Sequence, residues 1–405
     1  MRFLLLNQFF PPDGAPTGQL LADVARSLAA QGHSVTVVCA RVRYAGSHYA
    51  TENIEIPGVS YRHPWAASFG VSSVARLISY ATFYVGAIRH TLSGPRPDVV
   101  ITLTTPPLLS LAGSAAKMLR GSRHYSWEMD VYPDIATDLG FFRRNSLQDW
   151  ITGLLADFSR RRADKVLALG PCMRDRLLAR GIPAGRVAVA ENWATGPVIS
   201  PRPFPPAAPL TALYSGNFGR AHDVETLAEA MAHLSDGSRF CFVFAGSGSR
   251  MPQLESRCRA TGLTNASFIP YQKAERLSEH LGSCHVGLVT QLPSTCGSVV
   301  PSKTYALMAA GRPFIYIGPV GGTPSRLIER FGCGWRIEPG DSAALVNLLQ
   351  VLSSEPNLIR EAGARGRKAF EEHYDVDHGV ARILDILHLA EVPSGETLHP
   401  RSIAF

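Results

Sequence analysis

A dense cluster of prolines divides this chain into two halves that follow the same order of elements. Pro197, Pro201, Pro203, Pro205, Pro206 and Pro209 each fix φ, which predicts a stiff interdomain linker over 196–210. In the first half, Phe3–Leu6 reads as an apolar strand and Asn7–Gly18 as a loop. Leu20, Leu21, Val24, Ala25 and Leu28 then repeat at helical spacing. Gly32 ends that helix and Ser34–Cys39 is the next buried strand, so the unit is a right-handed parallel one. Helices over Val71–Thr91 and from Leu108 to Leu119 alternate with strands at Asp98–Leu103, His124–Glu128, Lys165–Leu169 and Val187–Ala190. Past the linker the order restarts, with strands at Thr211–Ser215, Phe240–Ala245, Ser267–Ile269, Val286–Val289, Phe314–Ile317 and Gly334–Ile337. A helical tail runs from Asp341 to about Glu391. This alternation predicts an α/β chain of two doubly wound, Rossmann-like domains, 1–195 and 211–375, facing across a cleft.

Doubly wound domains bind ligands at the carboxyl ends of their strands, so the loops there carry the chemistry. The stretch from Gly297 to Pro313 runs from a small-residue loop into a helix that Gly311 closes. Ser302, Lys303 and Thr304 would bring amide hydrogens, two hydroxyls and an ammonium to its positive end, a place for a phosphate or diphosphate. A capped helix with a surface lysine is the plainer alternative. Gly246-Ser247-Gly248 follows a strand but lacks the third glycine of a dinucleotide fingerprint, so a phosphate or base edge resting on the turn fits better. Gly216-Asn217-Phe218-Gly219-Arg220 is the corresponding loop one strand earlier. Tyr271 either lines a base pocket or packs at its rim, and His222 is the one histidine of interest. Glu128 and Asp130 close the strand His124–Glu128, where a ligand of the first domain would lie. Asp375-Val376-Asp377 sits between two helices and reads as a helix cap rather than a metal site.

Composition excludes several classes. With 45% hydrophobic and 18% charged residues the chain fills sizeable cores and is not disordered. The net charge of +7 gathers between Phe141 and Arg186, where ten Lys/Arg face four Asp. Such a stretch is either a solvated helix pair or a face that attracts anionic lipid or substrate. No nucleic-acid module accompanies it. The seven cysteines are scattered without C-x-x-C spacing, which argues against a zinc site or disulfide framework and fits a reducing cytoplasm. Met1–Leu6 is too short for a signal peptide. Val99–Ala116 is uncharged, yet Pro106-Pro107 breaks it into strand, loop and helix. The expectation is a cytoplasmic protein, at most peripheral on the plasma membrane. The helix Val71–Thr91, rich in arginine and aromatics, packs on the sheet or lies on a membrane.

The chain resembles the GT-B glycosyltransferases of the family 4 type, closest to the bacterial cell-surface polysaccharide branch with a Pro-Ser-Lys motif. The resemblance covers about residues 1–385 and rests on the order and spacing of several pieces. These are Phe10-Pro11-Pro12 with Gly18, Thr105-Pro106-Pro107, Asp130-Val131-Tyr132-Pro133-Asp134, Gly216–Arg220, Pro301-Ser302-Lys303 and Gly311-Arg312-Pro313. It implies a donor-binding C-terminal domain, an acceptor-binding N-terminal domain, and a last helix, 376–391, that packs back on the latter. It further implies retaining, metal-independent hexosyl transfer from a nucleoside diphosphate sugar, UDP before GDP, with no cofactor. The acceptor would belong to surface polysaccharide synthesis. The basic stretch Phe141–Arg186 and the helix Val71–Thr91, rather than the resemblance, point to a lipid-linked one and to an anionic membrane surface as a further partner, with a glycan as the other choice.

By the motif match, Arg220 and Lys303 lie beside the diphosphate together with the amides of Ser302 and Lys303, and Gly18 lets the first domain's loop close over the phosphates. The donor site would draw on Gly18, Gly216, Asn217, Gly219, Gly246, Ser247, Gly248, Tyr271, Ser302 and Thr304, the acceptor side on Glu128 and Asp130. The chain also departs from the pattern. Ser298 and Ala306 stand where many relatives have two glutamates, Asn217 replaces an arginine, and Met129 replaces a histidine. Arg220 or His222 is then left to supply charge. The missing glutamates keep open a non-catalytic nucleotide-binding partner of a polysaccharide assembly complex, and the shared architecture alone leaves a nucleotide-sugar epimerase of the same fold as another alternative.

Overall fold

The computed structural model describes residues 1–41, 55–68, 73–195, 198–235 and 238–389. The first two residues of the helix expected at Val71, Pro197 of the linker and the tail end at Glu391 lie outside them. The chain forms two compact units. The first comprises 1–195 with 291–301 and 321–323, and the second 198–290, 302–320 and 324–389, in each case among the described residues.

The first unit holds a seven-stranded sheet of β1 (Arg2–Leu6), β2 (Ser34–Val38), β3 (Val59–Arg62), β4 (Val99–Thr102), β5 (Arg123–Glu128), β6 (Lys165–Ala168) and β7 (Val187–Val189). All pairings are parallel, in the order β3-β2-β1-β4-β5-β6-β7. Val99, Val100 and Ile101 are buried on both faces, which is why these strands read as continuous apolar runs. The edge strand β3 was not anticipated, because its four residues alternate between half-buried and exposed. Helices α1 (Pro16–Ala30), α2 (Ser73–Leu92), α3 (Ser110–Arg120), α4 (Asp134–Asp138), α5 (Leu147–Arg162) and α6 (Pro171–Ala179) connect them. The α1 helix starts earlier than expected, with Pro16 in its first turn, where a missing amide hydrogen is no loss. Gly18 therefore belongs to the helix and not to the loop. The α2 helix packs through Ser79, Phe83, Ala87 and Thr91 and exposes Val74, Leu77, Ile78 and Val85 on its other side. Val99–Ala116 is strand, loop and helix, and no described helix is long and apolar enough to cross a membrane.

The second unit holds β8 (Leu210–Asn217), β9 (Phe240–Ser247), β10 (Ala266–Ile269), β11 (Val286–Thr290), β12 (Phe314–Ile317) and β13 (Gly334–Ile337), all parallel, in the order β10-β9-β8-β11-β12-β13. Its helices are α7 (Glu225–His233), α8 (Met251–Ala260), α9 (Leu277–Gly282), α10 (Lys303–Ala309), α11 (Thr323–Phe331), α12 (Ser342–Ser354), α13 (Pro356–His373) and α14 (Val376–Ile386). Asp375 caps α14, its carboxylate accepting from the His378 amide at 2.8 Å. The proline-rich segment is strapped to this unit. Buried Arg312 donates to the carbonyls of Arg202, Pro203 and Gly282 and lies 4.0 Å from the Phe204 ring centroid. Gly311-Arg312-Pro313 is thus a structural clasp. In both sheets the order reverses next to the first strand of the unit, between β1 and β4 and between β8 and β11. Those are the places where such sheets bind ligands.

Candidate active site

The carboxyl ends of β8 and β9 run two residues further than the apolar pattern suggests. Gly216 pairs with Gly246 and Asn217 with Ser247 in unbroken parallel register, so these four belong to strands and not to loops. Both glycines have φ of 131°, and a Cβ on Gly246 would sit 2.2 Å from the Gly216 carbonyl oxygen. Gly248, with φ of 144°, lies as tightly against the Phe218 backbone. The two strand ends are tied by the Phe218 amide donating to the Ser247 carbonyl at 2.7 Å and the Arg250 amide to the Phe218 carbonyl at 3.0 Å. Gly246→Ala therefore forces strain in φ together with a backbone clash, costing about 3 kcal/mol or more. A thermal melt of the variant is expected to show the loss.

Beneath these glycines lies the ammonium of Lys303. Its Nζ is buried, has no hydrogen-bond partner among the described residues, and sits 3.5 Å from the centroid of the Tyr214 ring. A Cβ on Gly216 would come within 3.8 Å of it. Burial holds the Lys303 pKa well below its usual value. The Tyr214 hydroxyl donates to the Asn217 carbonyl at 2.6 Å and lies 3.1 Å from His222 Nε2. His222 Nδ1 is 2.9 Å from both the carbonyl and the hydroxyl oxygen of Thr290, at the end of β11, and the ring stacks on Phe218. Burial and then the nearby Lys303 charge push His222 down to about 3, so it is neutral and cannot supply the charge expected of it. It is a brace for Tyr214. Sequence reasoning missed Tyr214 itself, because a tyrosine inside an apolar strand reads as core.

The other expected residues spread around this centre. Asn217 is exposed at the last position of β8, Arg220 is exposed beyond it, and Gly219 is half-buried. Tyr271 is 55% exposed and its ring edge would be 3.2 Å from a Cβ on Gly246, so it forms the rim of that turn. Ser302 is exposed at the start of α10 with no side-chain cap bond, and Thr304 is buried. The α10 helix has only seven residues, so its end carries a weak dipole and the lysine side chain is the stronger feature. Ser298, at one of the two glutamate positions, spends its hydroxyl on the Thr295 carbonyl at 3.0 Å.

Three expected residues lie in the first unit. Gly18 is buried, and a Cβ there would meet the Phe9 carbonyl oxygen at 2.8 Å, so close packing within the unit already requires glycine. Glu128 is buried and engaged: Arg160 Nη2 and Ser126 Oγ each donate to it at 2.8 Å. Asp130, two residues further on, is half-buried, and burial followed by the Glu128 charge pushes its carboxyl up to about 6. Of this pair it is the one that can meet a ligand. The basic stretch is also more balanced than its composition suggests. Arg160, Arg176 and Arg180 pair with Glu128, Asp134, Asp138 and Asp157, three of which precede Phe141 in sequence.

Residues 17–193 match the Glycosyl transferase 4-like domain and residues 199–369 the Glycosyl transferases group 1 domain. A protein of Escherichia coli K12 named as a colanic acid biosynthesis glycosyl transferase, WcaI, is 26% identical over 85% of this chain and 90% of its own length. WbjE of Pseudomonas aeruginosa, named as a glycosyltransferase, is 24% identical over 72% of this chain and 74% of that protein. Among solved structures, sucrose-phosphate synthase from Thermosynechococcus elongatus superposes with a TM-score of 0.75 at 16% identity, covering 96% of this chain and 98% of that one. Anabaena HepE in complex with UDP gives 0.66 at 14% identity, covering 96% and 100%. The chain belongs to the family 4 type of glycosyltransferases and has their GT-B fold.

Proposed function

We propose that the protein transfers a hexosyl residue, with retention at the anomeric carbon and without a metal ion, from a nucleoside diphosphate sugar to a glycan or lipid-linked acceptor in bacterial surface polysaccharide synthesis. The observation that carries this reading is the buried Lys303 Nζ at the β8–β11 reversal, which has no hydrogen-bond partner among the described residues. As the bond between anomeric carbon and diphosphate breaks, negative charge grows on the leaving group, and a preorganised cation stabilises it most in the transition state. The acceptor oxygen bonds to the anomeric carbon on the face the diphosphate leaves, and its proton passes to a diphosphate oxygen, so no protein base is needed. Tyr214, braced by His222, holds Lys303 from below. The glycines at 216, 246 and 248 leave room for phosphate and sugar above, and Arg220 and Tyr271 line the rim. Asp130 serves the acceptor side. UDP is favoured over GDP because HepE is known in complex with UDP, and WcaI supports the polysaccharide setting by name.

The test is a donor screen. UDP-hexoses with an acceptor glycan are expected to yield a product whose anomeric configuration matches the donor, at a rate unchanged by EDTA. An inverted product, or activity that EDTA abolishes and magnesium restores, would overturn the mechanism.

A further inference from the structure

We propose that the outward face of α5 docks the protein onto an anionic lipid surface. This helix is sorted the opposite way from a helix that packs by its apolar side. Gly153, Ala156, Ser159 and Arg160 are the residues it buries, all small or charged. Ser159 Oγ lies 2.9 Å from Ser114 Oγ on α3, and Arg160 reaches inward to Glu128. The large apolar side chains point to solvent: Leu147 is 69% exposed, Trp150 64%, Ile151 42%, Leu154 54%, Leu155 38% and Phe158 39%. They recur at intervals of three and four, which lines them up as one stripe along three turns. Single exposed apolar residues are ordinary, but six on one helix face mark an interaction surface.

Charge selects the partner. The two acidic residues of α5 are bonded within the fold, Asp149 to the Asn145 amide and Asp157 to Arg180. Arg143 and Arg144 before the helix and Arg161 and Arg162 in its last turn are exposed, one pair at each end of the stripe, with Arg144 also paired to Asp138 at 3.2 Å and Arg161 donating to the Arg180 and Gly181 carbonyls. The Arg162 guanidinium lies 4.6 Å from the Phe158 ring centroid, its stem covering apolar surface while its head stays outside. A bilayer interface takes both parts at once, the acyl boundary accepting the stripe and anionic headgroups the guanidiniums. A second copy of the chain fits worse, since a twofold pairing along the stripe sets arginines against arginines whichever way the helices run. Docking through α5 deepens the reading of a lipid-linked acceptor and rests on that reading only for its purpose; the binding itself is independent of the chemistry.

Flotation of the full chain with phosphatidylcholine vesicles, with and without phosphatidylglycerol, tests it. Wild type is expected to float with the phosphatidylglycerol vesicles and to be released by salt. Trp150→Glu/Leu154→Glu, both at exposed positions, is expected to lower the bound fraction by about tenfold or more while the melting curve stays unchanged. Arg161→Gln/Arg162→Gln should weaken binding to the anionic vesicles. No binding by wild type, equal binding by the Trp150→Glu/Leu154→Glu variant, or equal binding to both vesicle types would overturn the proposal. So would a two-chain mass in light scattering that this variant reduces to one. Transfer to a soluble acceptor, measured without vesicles, separates the two ideas: its presence in a variant that no longer floats leaves the transfer reading intact, and its absence in a wild type that floats leaves docking intact.

Discussion

Exchanging Lys303 for methionine is expected to give a protein that melts higher and transfers sugar at least ten times more slowly. The two effects have one cause. Among the described residues the ammonium is sealed from solvent with no hydrogen-bond partner, and the compensating contact is the Tyr214 ring at 3.5 Å. A cation–π contact returns about 2 kcal/mol when desolvated, against a penalty of several kcal/mol for taking the ion out of water. Methionine fills the same slot without that penalty, so the variant should gain roughly 1–3 kcal/mol. On the proposed reading it would also lack the charge-assisted bond to the leaving diphosphate, worth about 1.5–3 kcal/mol, which is more than tenfold in rate. Because the folded-state pKa of Lys303 is depressed, the unfolded chain holds more protons in the window between that value and the usual 10.5. Wild-type stability therefore gains a rising contribution with pH through that window, and the methionine variant should lack it. Thermal melts across pH and initial-rate assays check both halves, and an unimpaired rate would contradict the role given to this side chain.

Arg160→Met is expected to produce the largest loss of stability. Both partners of the Arg160–Glu128 pair are only 3% exposed at their side chains, so the single change leaves a carboxylate buried without its cation. Breaking such a pair costs about 3–5 kcal/mol, which for a unit of this size lowers the melting temperature by roughly 10 °C. The double change Glu128→Gln/Arg160→Met removes the stranded charge and should recover most of the loss. If the single and double variants melted alike, the pair would not be what holds β5 to α5.

The parts legible in the sequence are those set by local pattern. Continuous apolar runs such as Val99–Ile101 announced parallel strands, and Asp375 announced the cap of α14. The parallel layout within each unit follows from the alternation alone, and the Ser302-Lys303 helix start stands out in the sequence by its small-residue loop and its closing Gly311. What was hidden depends on which residues meet across long separations. Arg160 counted as one basic residue among ten until the fold brought it to Glu128, 32 positions earlier. His222 looked like a source of charge, but the carbonyl of Thr290 and the hydroxyl of Tyr214 claim its two nitrogens. Gly216 and Gly246 looked like loop residues because glycine weakens a strand in isolation; here both hold φ of 131°, and Gly246 alone is also needed for the close approach of the Gly216 carbonyl. The reversed sorting of α5 was invisible for the same reason: its periodicity is that of any amphipathic helix, and only the buried side shows which face is turned outward.

The central claim is that a diphosphate is the missing partner of Lys303, and proton linkage tests it most directly. A lysine that loses its proton easily when alone must regain it when an anion arrives, so binding should take up protons and weaken as pH rises above the free-state pKa. UDP titrated calorimetrically in two buffers of different ionisation enthalpy, at a pH above the phosphate's own ionisation near about 6, reads this uptake as a difference between the two heats. The account predicts a buffer-dependent heat for wild type that disappears in Lys303→Met. Heats that do not depend on buffer in wild type, or a dependence that survives in Lys303→Met, would contradict it.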